Sequence, residues 1–238
     1  VGRCQVVGWG GSSSVGLARS CNEDCYGRSG ALFVVADGIG GVAGGAVAAS
    51  ISVEEVLRCG SLIAVGASLE VWSAMVRSVS ASLRHVMGDR GCAGAGTTLT
   101  LASVEPDRVV VAHVGDSRLY EFVAEELRQC TVDHNLRTEL TSLGLDRNEA
   151  KRRSLRLDAL VSFIGCADPV LRVDVFSWRP ARGARLLLCT DGVHGSLTEA
   201  EIAGVVAGVP PPDAARQLTR LAELAGGRDN ATAVVVEL

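Results

Sequence analysis

Apolar positions in this chain fall into two textures. Short runs at 3–9, 31–36, 98–104, 108–114, 118–123, 170–176, 185–189 and 231–238, apolar throughout or alternating with polar residues, predict strands. Between them, apolar residues recur at helical spacing over 44–57, 69–86, 136–143, 146–152, 199–206 and 212–225. Segments 98–104 and 108–114 flank Glu105-Pro106-Asp107, a turn composition that predicts an antiparallel hairpin. Helices follow groups of strands instead of alternating with them one for one. That order favours an α+β layered sandwich over a doubly wound parallel sheet.

Composition narrows the partners. With 238 residues, 47% of them apolar, and no low-complexity tract, linker or repeat, one domain spanning 1–238 is expected. Aromatic residues make up 4%, too few for stacking platforms, and 23 basic against 27 acidic residues give a net charge of −4. No basic run exceeds Lys151-Arg152-Arg153, so nucleic acid and acidic membranes lack an electrostatic footprint. No apolar stretch approaches the roughly 18 residues that span a bilayer, and 1–10 has no signal-peptide pattern. A cytoplasmic monomer is expected, and the opening valine suggests a trimmed domain. The eight cysteines contain no Cys-x-x-Cys, and several sit inside apolar runs, so they read as free structural thiols, not as a zinc site or disulfide framework.

Acidic residues stand where strands end. Asp37 closes the run 31–36 and precedes Gly38-Ile39-Gly40-Gly41, where Gly38 lets the backbone approach closely enough for its carbonyl to join the carboxylate at a hard cation. An Asp-Gly pair is by itself an ordinary turn. Here Asp191-Gly192 repeats the grammar after 185–190, and Asp229-Asn230 precedes the last strand. Carboxylates gathered without a cation repel one another, whereas two Mg2+ or Mn2+ ions about 3.5–4 Å apart would balance them. Oxygen donors without a histidine cluster favour these metals over zinc. Arg19, followed by Asn22-Glu23-Asp24, adds a guanidinium suited to phosphate, and Gly115-Asp116-Ser117-Arg118 puts a further acid at a turn.

Taken in order, Arg19-x-x-Asn22-Glu23-Asp24, Asp37-Gly38-Ile39-Gly40-Gly41, Gly96-Thr97-Thr98, Gly115-Asp116-Ser117-Arg118, Asp133-His134, Asp191-Gly192 and Asp229-Asn230 resemble the bacterial metal-dependent protein serine/threonine phosphatases, the PPM or type 2C family. The resemblance implies an αββα sandwich of two antiparallel sheets flanked by helices, with a Mn2+ or Mg2+ centre of two ions, and a third, looser one, at one edge. It implies that Asp37 bridges the first two ions, Gly38 offers its carbonyl, Asp191 and Asp229 complete the first ion, and Asp24 holds a water of the second. Glu23 is a weaker, outer candidate. Asp116, with Asp191, resembles the pair holding the third ion, and Arg19 the phosphate-binding arginine.

The activity implied is hydrolysis of phosphoserine and phosphothreonine in proteins by a water activated between the ions, opposing bacterial serine/threonine kinases. The alternatives are a catalytically silent phosphoprotein-binding sensor and a phosphatase of anti-sigma antagonist proteins. Some relatives carry histidine two residues after the bridging aspartate; Ile39 stands there, which leaves the proton donor unassigned. His113, His134 and His194 read as packing or turn residues, and Gly96-Thr97-Thr98 as a structural turn. Residues 136–164 resemble the flap that borders the cleft, locally basic through Arg147, Lys151, Arg152, Arg153 and Arg156. Asp158 aligns only loosely with a metal-approaching flap side chain and stays outside the site.

Overall fold

The computed structural model describes residues 4–40, 44–144 and 156–238. One antiparallel sheet carries, in spatial order, β2 (Asp24–Ser29), β3 (Leu32–Ile39), β5 (Leu99–Val104), β6 (Val109–Val114) and β9 (Asp174–Trp178), with the short β4 (Gly96–Thr97) paired to the end of β3. The other carries β1 (Gly8–Ser14), β11 (Ala231–Glu237), β10 (Arg185–Cys189), β7 (Arg118–Val123) and β8 (Glu126–Gln129). Helices α1 (Gly45–Gly60) and α2 (Leu69–Asp89) cover the first sheet. Beyond the short α3 (Leu136–Ser142) and α4 (Asp191–His194), helices α5 (Glu199–Gly208) and α6 (Pro211–Leu224) cover the second. The expected αββα sandwich is the fold observed.

Strand composition follows from burial on both faces. On β3, Phe33 and Val35 enter the layer between the sheets, while Leu32, Val34 and Ala36 face α1 and α2. On β10, Leu186 and Leu188 point between the sheets and Leu187 and Cys189 toward α5 and α6. A strand without a wet face reads as a continuous apolar run, a pattern more familiar from parallel sheets but produced here by the helical layers. In α2 the buried positions Trp72, Val76, Val79, Leu83 and Met87 recur every three or four residues and form one stripe against the sheet.

The expected hairpin across Glu105-Pro106-Asp107 forms, pairing Val104 with Val109, and is closed by Glu105 N–H on the Arg108 carbonyl at 2.8 Å. The first strand differs. Expected at 3–9, it runs over Gly8–Ser14, a Gly- and Ser-rich segment of low strand propensity. Pairing with β11 creates it, and small residues are required because α6 presses on it: a Cβ on Gly10 would lie 2.2 Å from Pro212 Cα. Asp37 also lies within β3, not beyond its end, since Gly38 and Ile39 still pair with Thr97 and Gly96. Strands β2 and β8 form where no apolar pattern announced them, and the strand expected at 170–176 is shifted to Asp174–Trp178. The helix expected at 146–152 lies outside the described residues.

Replacing Gly10 by alanine must displace backbone atoms of α6, which no rotamer change relieves. The variant is expected to lose about 1–3 kcal/mol of stability in urea unfolding. An unchanged midpoint would show that β1 and α6 are not locked together.

Candidate metal centre

Five chain segments bring acids to one edge of the sandwich. Asp24 opens β2 and stands opposite Asp37 in the β2–β3 register. Asp116 lies in the link from β6 of one sheet to β7 of the other, Asp191 begins α4 and is separated from β10 by Thr190 alone, and Asp229 is separated from β11 by Asn230 alone. Asp37 feels the charges of Asp24, Asp191, Asp116 and Asp229, so the sequence-derived acids share one neighbourhood.

Backbone architecture holds them there. Asp37 N–H donates to Thr98 Oγ1 at 2.9 Å, and its carbonyl accepts from Thr98 N–H and Thr97 Oγ1. Thr98 Oγ1 in turn pairs with Ser117 Oγ at 2.7 Å, joining the Asp37 strand to the Asp116 link. Gly38 sits against the start of α1, where a Cβ would come within 2.3 Å of the Gly45 carbonyl carbon and oxygen. Only glycine allows this backbone contact. Asn230 ties the opposite side together: its Oδ1 accepts from Glu23 N–H, and its Nδ2 donates to the carbonyls of Val15 and Cys21.

Asp24 joins the sheets. Its Oδ2 accepts hydroxyl hydrogen bonds from Thr190 at 2.8 Å and Thr232 at 2.7 Å, both from the other sheet's side. Its Oδ1 is buried without a protein partner, as are Asp191 Oδ1 and Glu23 Oε1. Buried carboxylate oxygens are costly when unpaired. Burial, helped by repulsion from Asp191 and Asp229, outweighs the two threonine bonds and pushes the Asp24 carboxyl up to about 7. Burial and Asp191 push Asp116 to about 7, and burial and Asp24 raise Asp37 well above the usual carboxylate range. Among the described residues no three His, Cys, Asp or Glu side chains are closed around one point as a finished cage. The case for a cation rests on orphaned oxygens and mutual repulsion, both of which a divalent ion would relieve; an all-oxygen donor set fits Mn2+ or Mg2+.

Arg19 stands at the mouth. Its Nη2 donates to Asp229 Oδ2 at 2.8 Å, and its side chain is 49% exposed, so the guanidinium is both anchored and reachable. Asp133 is a scaffold group: it receives Arg118 through Nε at 2.9 Å and Nη2 at 2.8 Å. His113 and His134 pack with ring centroids 4.8 Å apart, His113 bonded to Thr100 and to the Val132 carbonyl, His134 to Asp174. Asp158 pairs with Arg137 and is 78% exposed. Of the basic flap residues, Arg147, Lys151, Arg152 and Arg153 lie outside the described residues.

The chain matches the protein phosphatase 2C family over residues 18–229. It belongs to that family. The phosphatase is 29% identical to protein phosphatase PhpP of Streptococcus pneumoniae over 95% of each chain. It is 31% identical to serine/threonine protein phosphatase PstP of Mycobacterium tuberculosis, over 98% of this chain and 45% of that protein. The solved catalytic domain of PstP in complex with two manganese ions superposes with a TM-score of 0.83 at 29% identity, covering 96% of both chains. As a family member this chain is a metal-dependent protein serine/threonine phosphatase.

Sequence reasoning missed the groups that support the acids. Thr190 and Thr232 were legible only as neighbours of Asp191 and Asp229-Asn230. His194, expected as a packing or turn residue, bonds through Nε2 to the Asp116 carbonyl at 2.9 Å.

A carboxyl whose folded pKa is raised favours folding fully below its unfolded value, about 3.9, and loses that advantage as pH rises through the folded value. The phosphatase stripped of divalent ions should therefore lose stability between about pH 4 and 7, with Asp24→Asn flattening the loss and Mn2+ abolishing it in the parent. Thermal melts across this window test it. Identical pH slopes in parent and Asp24→Asn would refute the repulsive cluster.

Proposed function

We propose that this chain removes phosphate from phosphoserine and phosphothreonine of protein substrates at a Mn2+/Mg2+ centre held by Asp37, the Gly38 carbonyl, Asp191 and Asp229. Asp24 serves through water, Asp116 joins Asp191 at a looser ion, and Arg19 binds the phosphate. The observation that carries this reading is the set of partly buried, mutually repelling carboxylates at the sheet edge, with Arg19 exposed beside them on Asp229. Bound divalent ions supply the positive charge that acidifies water near neutral pH and neutralises phosphate oxygens.

The chain's own groups do the rest. The Arg19 fork is suited to two phosphate oxygens, and its bond to Asp229 presets its position. Asp37 is fixed through both backbone groups by Thr97 and Thr98, so its carboxylate is presented with little freedom. The Thr190 and Thr232 hydroxyls hold one oxygen of Asp24 and leave the other available. His113, His134 and His194 are committed to protein partners, and Ile39 has no proton to give. The leaving alkoxide therefore takes its proton from water in this reading.

Among the described residues no helix is long and apolar enough to cross a membrane. All eight cysteines are free thiols, which supports a reducing, cytoplasmic setting and, with it, action against a cytoplasmic serine/threonine kinase. We take the working unit to be the monomer.

Asp37→Asn and Asp191→Asn should each lower hydrolysis of p-nitrophenyl phosphate and of a phosphothreonine peptide by roughly 100-fold or more. Chelation should silence the parent and Mn2+ restore it. Near-normal turnover in both variants would overturn the ligand assignment. Arg19→Ala should raise KM about tenfold with a smaller change in kcat. A fall in kcat at constant KM would remove Arg19 from ground-state phosphate binding.

A further inference from the structure

Asp116 and Asp191 reach the edge on separate supports, and their spacing has to be set by something between them. Asp116 lies in the link from β6 to β7. That link is fastened to its own side of the molecule: Gly115 N–H donates to His134 Nδ1 at 3.2 Å, the Gly115 carbonyl accepts from His134 N–H at 2.7 Å, and the Ser117 carbonyl accepts from Thr100 Oγ1 at 3.0 Å. From the Asp191 side it is met by His194, whose Nε2 stands 2.9 Å from the Asp116 carbonyl. A carbonyl only accepts, so Nε2 carries the proton in this contact.

His194 belongs to the same rigid body as Asp191. Gly195 N–H closes the α4 turn on the Asp191 carbonyl at 2.7 Å. On the other side, Gly192 lies so near the chain at Asn230 that a Cβ there would be 1.9 Å from the Asn230 carbonyl oxygen. The turn cannot slide toward β11, and the imidazole bridges it to the Asp116 link. Two partly buried carboxylates on separate loops repel, and loops free to yield would move apart. The ring resists that relaxation.

We propose that His194 is a positioning residue that sets the spacing of the Asp116 and Asp191 carboxylates and thereby the affinity of the cation they share. The inference rests on the reading of these two acids as cation ligands. Loss of the strut frees the Asp116 link and so acts chiefly on that cation, because Asp191 stays held by the Gly195 bond and the Gly192 contact, and Asp37, Asp229 and the Gly38 backbone by bonds of their own.

Direct calorimetric titration of the metal-stripped full chain with Mn2+ tests this on the parent, His194→Ala, His194→Asn, His194→Gln and Asp116→Asn. His194→Ala and His194→Asn should weaken the loosest Mn2+ site roughly tenfold, the scale of one hydrogen bond, with tighter sites within about twofold. His194→Gln, whose amide N–H stands near the place of Nε2–H, should recover most of the loss. In the metal-free protein, amide hydrogen exchange over 115–118 should quicken in His194→Asn and not in His194→Gln. Uniform weakening of every site, no weakening, or a glutamine variant as poor as asparagine would overturn the positioning role. If Asp116→Asn leaves all Mn2+ sites unchanged, the ligand reading itself fails and the proposal with it, whatever the His194 variants do.

Discussion

Repulsion among carboxylates that the fold drives together is the constraint on which the rest of this structure depends. Asp24, Asp37, Asp116, Asp191 and Asp229 occupy one edge where strands of both sheets begin or end, and each of the first four has its carboxyl pushed upward by burial and by its neighbours. Left to itself such an edge would splay. The molecule opposes this with hydrogen bonds that run between sheets, from Thr190 and Thr232 to Asp24 and from Thr98 to Ser117, and with backbone contacts at Gly38 and Gly192 too close for any side chain. A divalent cation completes the balance from the other direction, by removing the repulsion.

The four layers make that opposition possible. Strands buried on both faces cannot shift register without exposing an apolar row, so the ends that carry Asp37 and Asp191 are held by the packing of Phe33, Val35, Leu186 and Leu188 between the sheets. The helical layers do the same from outside, with Trp72 and Met87 on one flank and Leu218 and Ile202 on the other. Core packing thus acts on the chemistry at a distance: it fixes strand ends, and strand ends fix the acids.

Arg19 and Asp229 show how, in the proposed function, substrate binding and cation binding would meet in one contact. The guanidinium that suits a phosphate is bonded to an acid of the edge, so the proposed phosphate clamp and the proposed metal ligand are set relative to each other by a single 2.8 Å bond. The bond from His194 to the Asp116 carbonyl is the corresponding contact between the Asp116 link and the Asp191 turn. In both places a group at one loop reports the position of another, and precision comes from pairs of loops that brace each other.

The linear pattern alone determined the layered α+β class, the 105–107 hairpin, most helices and the family, because apolar periodicity records which faces are buried and the order of acid-glycine turns survives as local sequence. It also named the acids of the edge and Arg19. It did not reveal β1, β2 or β8, whose Gly-, Ser- and charge-rich stretches become strands through pairing partners distant in sequence, such as Gly10 opposite Val235. Nor did it reveal Thr190, Thr232 and Asn230 as supports of the acids, or His194 as a strut. A hydroxyl, amide or imidazole has no periodicity that announces its partner, and hydrogen bonds spanning 78 to 215 residues exist only once the two sheets have closed on each other.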